Sequence, residues 1–323
     1  MNDPTKTKVV TMTESTDLRS SPAARAFFAA LDGSSNNNAS NNNNKKQSDF
    51  IRKRIQTAGW RNRYSQDEHY PIDLMMTGSV HPCKFSVLQV QRGELEGTYG
   101  TGATVWPAAV VLLKYLERHA ATLIQGQHVI DLGAGTGVTS IGAAVLGAKH
   151  VICTDGEPRV VQLARDNIQR AKEQLHGDSA AVATESPPSV EEGTPSTSSN
   201  VSSSKGDMIH GCRVDTEVYW WGSGSITNAD ACDVILVADC VLPKLYPIAP
   251  LVQALDQLLI KPGAVAIFSY EHRYYPEYDP RAKFQELATA KNLFVEIIPM
   301  EQQDPVYSVD DIEIWHVQRK VSS

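Results

Sequence analysis

Asp131, Gly133, Ala134, Gly135 and Gly137 stand together in Val129-Ile130-Asp131-Leu132-Gly133-Ala134-Gly135-Thr136-Gly137. Their types and spacing suit one task, the holding of a nucleotide-like cofactor. Three alternate glycines let the backbone turn sharply and approach a ligand without Cβ interference. A second acid, Asp155, lies twenty residues after Gly135 and is placed to accept hydrogen bonds from ribose hydroxyls. A pyrophosphate-binding fingerprint requires a further glycine where Val138 stands, so a dinucleotide is disfavoured. The bland alternative is a glycine turn that only packs a strand on a helix.

Those residues need a strand before them and a helix after them. Val129 to Leu132 reads as a short buried strand, and Val138, Ile141, Ala144 and Val145 recur at helical spacing. The next strand, Val151 to Thr154, delivers Asp155. Upstream, Pro107 suits the first turn of an apolar helix, and Trp106 precedes it at a glycine-rich entry. Downstream, Pro158 starts a helix reaching about Leu175, and Arg213 to Tyr219 reads as a third strand leading to Trp220-Trp221-Gly222. Asp233 to Val237 has the apolar run of a central parallel strand and terminates in Ala238-Asp239-Cys240. A helix with Leu251, Leu255, Leu258 and Leu259, a strand 264–269, a helix 281–290 and two β-rich stretches, 294–298 and 312–317, complete the pattern. It predicts a Rossmann-like α/β sheet with helices on both faces and a C-terminal antiparallel hairpin.

The rest of the 323 residues bounds the function. Residues 1–63 read as an Asn/Ser-rich tail without lasting order, Ser34 to Asn44 being almost wholly Asn and Ser. The domain is expected over 64–323, interrupted at 176–207 by a Ser-, Pro-, Thr- and Glu-rich insertion. No apolar run reaches membrane-spanning length. The net charge of −7 argues against nucleic acid as partner. Five cysteines without a C-x-x-C pair read as reduced thiols in a cytoplasmic or nuclear protein, and no metal site is expected.

Val105-Trp106-Pro107-Ala108, the Asp131–Gly137 motif, Trp221-Gly222 and Ala238-Asp239 together resemble lysine methyltransferase family 16, the methyltransferase-like 21 group. The resemblance covers about 67–320 apart from the insertion. It implies a seven-strand sheet and S-adenosylmethionine as cofactor, whose cationic amino and sulfonium groups suit Asp131 at the loop entrance. By motif, Trp106, Gly133 to Gly135, Asp155, Trp221 and Ala238 would contact it. It also implies a lysine-bearing protein substrate, such as a chaperone, an elongation factor or an AAA ATPase, and an enzyme expected to act as a monomer.

The family pattern Asp-x-x-Tyr after the central strand is incomplete here: Asp239 is followed by Leu242, and the nearest tyrosine is Tyr246. Asp239 and Tyr246 are therefore the catalytic candidates, Asp239 to orient a lysine ammonium. A helix cap or a salt-bridged strand end is the alternative for Asp239. Tyr270 to Tyr275 also follows a strand's carboxyl end and is a candidate for the substrate channel. Methylation of a small molecule, or a non-catalytic module that keeps the cofactor fold, are the competing functions.

Overall fold

Alternation of side chains along the central strands divides this molecule into two cores. A computed structural model describes residues 59–90, 100–181, 207–242, 245–273, 275 and 278–320. Most of the expected tail and residues 182–206 of the expected insertion lie outside them. In β3 (His128–Leu132) Val129 belongs to one buried cluster, while Ile130 and Leu132 belong to the other. β7 (Val234–Ala238) and β8 (Val265–Glu271) alternate the same way. A strand buried on both faces needs apolar residues at every position, hence the unbroken runs in the sequence.

One face is covered by α1 (Pro107–Arg118), α3 (Val138–Val145) and α4 (Pro158–Ala181). The short α2 (Ala120–Leu123) follows α1. The other face is covered by α5 (Ile248–Leu258) and α6 (Pro280–Ala290). The remaining strands are β4 (His150–Asp155), β5 (Asp207–Ile209), β6 (Cys212–Val218), β9 (Leu293–Ile298) and β10 (Ile312–Arg319). The sheet order is β5-β6-β4-β3-β7-β8-β10-β9. β3, β4, β6, β7 and β8 run parallel, whereas β10 pairs antiparallel with both β8 and β9. This is the expected Rossmann-like order ending in an antiparallel hairpin, and the order reverses beside β3, where such sheets bind ligands.

Two additions were not foreseen. β5 pairs antiparallel with β6 as an extra edge strand, and its three residues lie where low-complexity sequence ends. β1 (His69–Leu74) and β2 (Cys83–Leu88) form a separate hairpin whose inward residues, Ile72, Leu74, Phe85 and Val87, join the first core. β1 alternates Tyr70, Ile72 and Leu74 inward with His69, Pro71 and Asp73 outward, and a proline within so short a run weighs against reading it as a strand. α4 continues six residues past Leu175, into the expected insertion. Trp60, which precedes the expected domain start at residue 64, packs against the first core.

The second core is centred on aromatic rings. Trp315, Phe268 and Phe284 are all fully buried, with Phe284 5.1 Å from Phe268 and 5.4 Å from Trp315 between centroids. Trp315 Nε1 donates to Glu313, so the indole is buried without an unsatisfied donor. One side chain thereby ties α6 to β8 and β10. Trp315→Ala is expected to cost about 3–5 kcal/mol of stability, read from urea unfolding, because a cavity this large cannot collapse.

Candidate functional site

The glycine turn after β3 is built for close approach. Gly133, Gly135 and Gly137 have φ of 69°, 56° and 79°, a region that side chains rarely adopt. A Cβ at Gly135 would stand 2.6 Å from the Gly102 carbonyl oxygen, and one at Gly133 would stand 2.8 Å from Cys240 Sγ. The turn therefore presses the 3-10 turn at Gly100–Ala103 on one side and the end of β7 on the other. A cavity of about 720 Å³ opens between them. Its walls include Trp106, Gly133, Ala134, Gly135, Asp155, Trp221, Ala238, Asp239 and Tyr246, so nine of the eleven expected site residues meet in one place.

The other two stand behind it. Asp131 shares the parity of Val129, which turns its side chain toward α3 and away from the cavity. It is fully buried, and its Oδ2 accepts from Thr139 Oγ1 at 2.5 Å and Ser140 Oγ at 2.7 Å. Its Oδ1 has no hydrogen-bond partner among the described residues. Burial pushes this carboxyl up to about 6, against the pull of the two hydroxyls. Asp131 thus fixes the first turn of α3 beneath the loop and does not stand at the loop entrance. Gly137 is required by packing, since a Cβ there would lie 3.2 Å from Ala164 Cβ.

Asp155 closes β4 with one oxygen on each side of its turn. Oδ2 accepts from the Gly135 N–H at 3.2 Å and Oδ1 from the Glu157 N–H at 3.1 Å. Burial raises its pKa, opposed by those N–H groups. The carboxylate is held rigidly, and its remaining lone pairs are available to hydroxyls in the cavity. Trp106 is held by its Nε1, which donates to the Thr101 carbonyl at 2.9 Å. Trp221 packs edge-on against Tyr246 at 5.6 Å. Trp220 also lines the cavity and is 62% exposed, so both indoles of the pair reach the site.

Tyr246 reaches the site through a local turn. The N–H groups of Leu245 and Tyr246 both bond the Leu242 carbonyl, at 2.9 and 2.7 Å. These bonds hold Tyr246 close to Leu242, and both residues line the cavity, so an aromatic ring stands in the same wall as Leu242. The Tyr246 hydroxyl shares a hydrogen bond with Thr101 Oγ1, joining the two sides of the cavity.

Asp239 occupies the carboxyl end of β7 in the left-handed region, with φ of 56°. Asp tolerates that conformation better than most residues do. Its carboxylate is buried and does not stand free: Arg273 Nη1 donates to Oδ1 at 2.7 Å and Nη2 to Oδ2 at 2.5 Å. Burial raises the Asp239 pKa while the guanidinium pulls it back. Asp239 stands in the cavity wall with its carboxylate engaged as a salt-bridged strand end, the alternative reading of this residue. Thr101 and Glu157, also in the wall, had no signal in the sequence, because neither belongs to a motif or a periodic pattern.

Residues 86–185, from within β2 to just past α4, match a family model described as lysine methyltransferase. Similar to the chain are the protein N-terminal and lysine N-methyltransferase efm7 of Emericella nidulans, 36% identical over 92 residues, and the protein N-lysine methyltransferase METTL21A of Danio rerio, 46% identical over 77. A ribosomal protein L11 methyltransferase of Geobacillus kaustophilus is 42% identical over 130 residues. These alignments take in 28%, 23% and 38% of this chain, and the chain spans 36%, 34% and 38% of those relatives. The methyltransferase match holds the glycine turn, Trp106 and Asp155. Trp221, Asp239, Tyr246 and Arg273 lie beyond it.

The buried acid of the motif yields a measurable pH effect. A carboxyl raised in the folded state contributes stability at low pH that is lost as pH rises through about 6. Asp131→Asn keeps an oxygen acceptor for Thr139 and Ser140 but cannot ionise. Wild type should therefore lose roughly 1–3 kcal/mol relative to Asp131→Asn between pH 5 and pH 7.5, as measured by urea unfolding at each pH. A difference independent of pH would show that Asp131 is ionised throughout.

Proposed function

We propose that this chain is an S-adenosylmethionine-dependent methyltransferase acting on the lysine amine of a protein substrate. The observation that carries the reading is the single cavity joining the glycine turn and Asp155 to Asp239 under aromatic side chains. S-adenosylmethionine supplies an activated methyl group on a cationic sulfur. Asp155 would hold ribose hydroxyls, an indole of Trp220 or Trp221 would cover the base, and the backbone of Gly133 to Gly135 gives the close approach. Asp155, Glu157 and Asp239 are the ionisable carboxyls of the wall, a charge pattern that favours cations over phosphates.

A lysine amine has an ordinary pKa of about 10.4 and must lose a proton before it can be methylated. An apolar channel disfavours the charged amine, and Trp221, Tyr246 and Leu242 supply such walls. Aromatic faces also favour the methylated cation and hold a methylene stem. Asp239 would align the amine, with Tyr246 opposite. The names of the three relatives support a protein substrate over a small molecule. A monomer in the cytoplasm or nucleus fits the cysteines, which are all free, and no helix among the described residues is long and apolar enough to cross a membrane. Chaperones, elongation factors and AAA ATPases are the substrate classes to try first.

Calorimetric titration should give binding of S-adenosylmethionine and none of NAD. Asp155→Ala should weaken that binding by about 10–100-fold, the loss of charged hydrogen bonds. Methyl label from the cofactor should enter protein in a cell extract and appear as methyl-lysine after hydrolysis. Tighter binding of NAD, or label only in the low-mass fraction, would overturn the reading.

A further inference from the structure

Five charged side chains, Asp239, Arg273, Glu271, Arg61 and Asp311, form a continuous line leading away from the cavity. Asp239 is gripped at both oxygens by Arg273. The Arg273 Nη2 also reaches Glu271 Oε2 at 3.3 Å, and its Nη1 donates to the Glu271 carbonyl at 3.2 Å. The other oxygen of Glu271 receives Arg61 Nη2, and Arg61 Nη1 donates to Asp311 Oδ2 at 2.7 Å. Signs alternate along the line, so each charge is flanked by opposite ones. The Asp239 side chain is 2% exposed, Glu271 16%, Arg61 20% and Arg273 27%, while Asp311 is 47% exposed. Asp239 is the most buried member and Asp311 the most exposed.

A buried carboxylate with left-handed backbone is an expensive group to hold in one place. The planar fork of a guanidinium fixes both its orientation and its charge, which an ammonium cannot do with one bond. Arg273 in turn is bound on its second side by Glu271, and Glu271 is held by Arg61. Residues 59–63 precede every strand, yet Arg61 ends three ion-pair steps from the cavity.

We propose that Arg273 is the positioning residue that keeps Asp239 an aligned carboxylate at the methyl-acceptor end of the cavity, and that Arg61 completes the site by fixing Arg273 through Glu271. The inference rests on the methyltransferase reading for its kinetic consequence, though not for the ionisation of Asp239. Glu271 and Arg273 face Asp239 from the end of β8, and Cys240 and Tyr246 face it from its own connection. Arg273 is the cation among them. Removing it leaves burial and Glu271 both acting to protonate Asp239.

The test uses the full chain with Arg273→Met, Arg273→Lys, Arg61→Met, Asp239→Asn and the double variant Asp239→Asn/Arg273→Met. For Arg273→Met, single-turnover methyl transfer to a responsive extract should fall on the order of 10–100-fold, with S-adenosylmethionine affinity within about twofold. The acid limb of its pH–rate profile should move upward by about 1–3 units, the scale of an arginine lost beside an aspartate. Carbon NMR titration of the Asp239 carboxyl should move by the same amount. Arg273→Lys should fall between Arg273→Met and wild type, and Arg61→Met should show the same shift at smaller amplitude. The double variant should be no slower than Asp239→Asn alone, and it remains informative if the single Arg273→Met fails to fold.

An unmoved acid limb and carboxyl titration in Arg273→Met would overturn the proposal. So would a loss of melting temperature, cofactor affinity and transfer together with no change of titration, since that pattern marks a structural brace. A silent Arg61→Met would overturn the relay. Absence of any transfer by wild type would instead sink the methyltransferase reading, and the carboxyl titration would still decide what Arg273 does.

Discussion

The close approach of the Gly135 backbone to the Gly102 carbonyl is the constraint on which this site depends. With 2.6 Å to a hypothetical Cβ, the contact admits glycine alone at position 135. It draws the turn Gly100–Ala103 onto the glycine loop, and that turn carries Thr101. Thr101 then does two things at once: its carbonyl takes the Trp106 indole, and its hydroxyl meets Tyr246. A glycine required by backbone geometry in the turn after β3 therefore helps decide where two aromatic side chains from distant segments stand. Gly102 is itself confined, since a Cβ there would fall 2.9 Å from Val160 at the start of α4. The wall is thus fastened to the helix that follows Asp155.

Strand parity provides the second constraint. In β3 a two-residue period sends position 131 to the α3 face and position 132 to the other, so a carboxylate at 131 has to be buried beneath the loop. The first turn of α3 supplies two hydroxyls, Thr139 and Ser140, which satisfy one of its oxygens. The same acid is thereby part of the scaffold that holds the loop and also a source of negative potential behind it. Position 239, just past the end of β7, escapes the parity rule because its backbone turns left-handed. At that turn Asp239 stands in the cavity wall while its carboxylate reaches Arg273.

These two constraints explain what could be read from the sequence. The sheet was legible because β3, β4, β7 and β8 are buried on both faces and carry unbroken apolar runs. The glycine turn was legible because its conformation demands glycine, and Asp155 because the strand after a βα unit delivers it at a fixed distance. Asp131 was misplaced for a physical reason: a motif names the residue but not the face on which its side chain lies. β5 is three residues long, too short for a period to show, and in β1 the alternation of Tyr70, Ile72 and Leu74 is interrupted by Pro71, which weighs against a strand. The Arg273 and Arg61 contacts join residues 34 and 210 positions from their partners Asp239 and Glu271, and ion pairing leaves no periodic trace in a chain. Tyr246 lay between these cases. Its type was visible, but its place beside Leu242 in the cavity wall depends on the Leu242 carbonyl bonds, which leave no trace in the sequence.

The electrostatics of the cavity follow from burial more than from any one pair. Asp131, Asp155 and Asp239 all have pKa values raised above the ordinary carboxylate range, with burial the largest cause in each case. Each is partly restrained by donors from the protein: hydroxyls for Asp131, backbone N–H groups for Asp155, a guanidinium for Asp239. Burial therefore makes all three harder to ionise than a carboxylate in water. A cationic ligand in the cavity would oppose that effect at Asp155 and Asp239, because an opposite charge within a few ångströms favours ionisation. Linkage requires the converse as well, so a ligand that favours the ionised carboxylates is itself bound more tightly by them. Negative potential behind the loop and along the wall thus selects for positive charge without an unpaired carboxylate having to seize it. Asp239 illustrates the distinction. Already neutralised by Arg273, it cannot trap an ammonium as an isolated anion would, and it can still orient one. An amine held in that way gives up its proton at less cost than one locked in a buried ion pair.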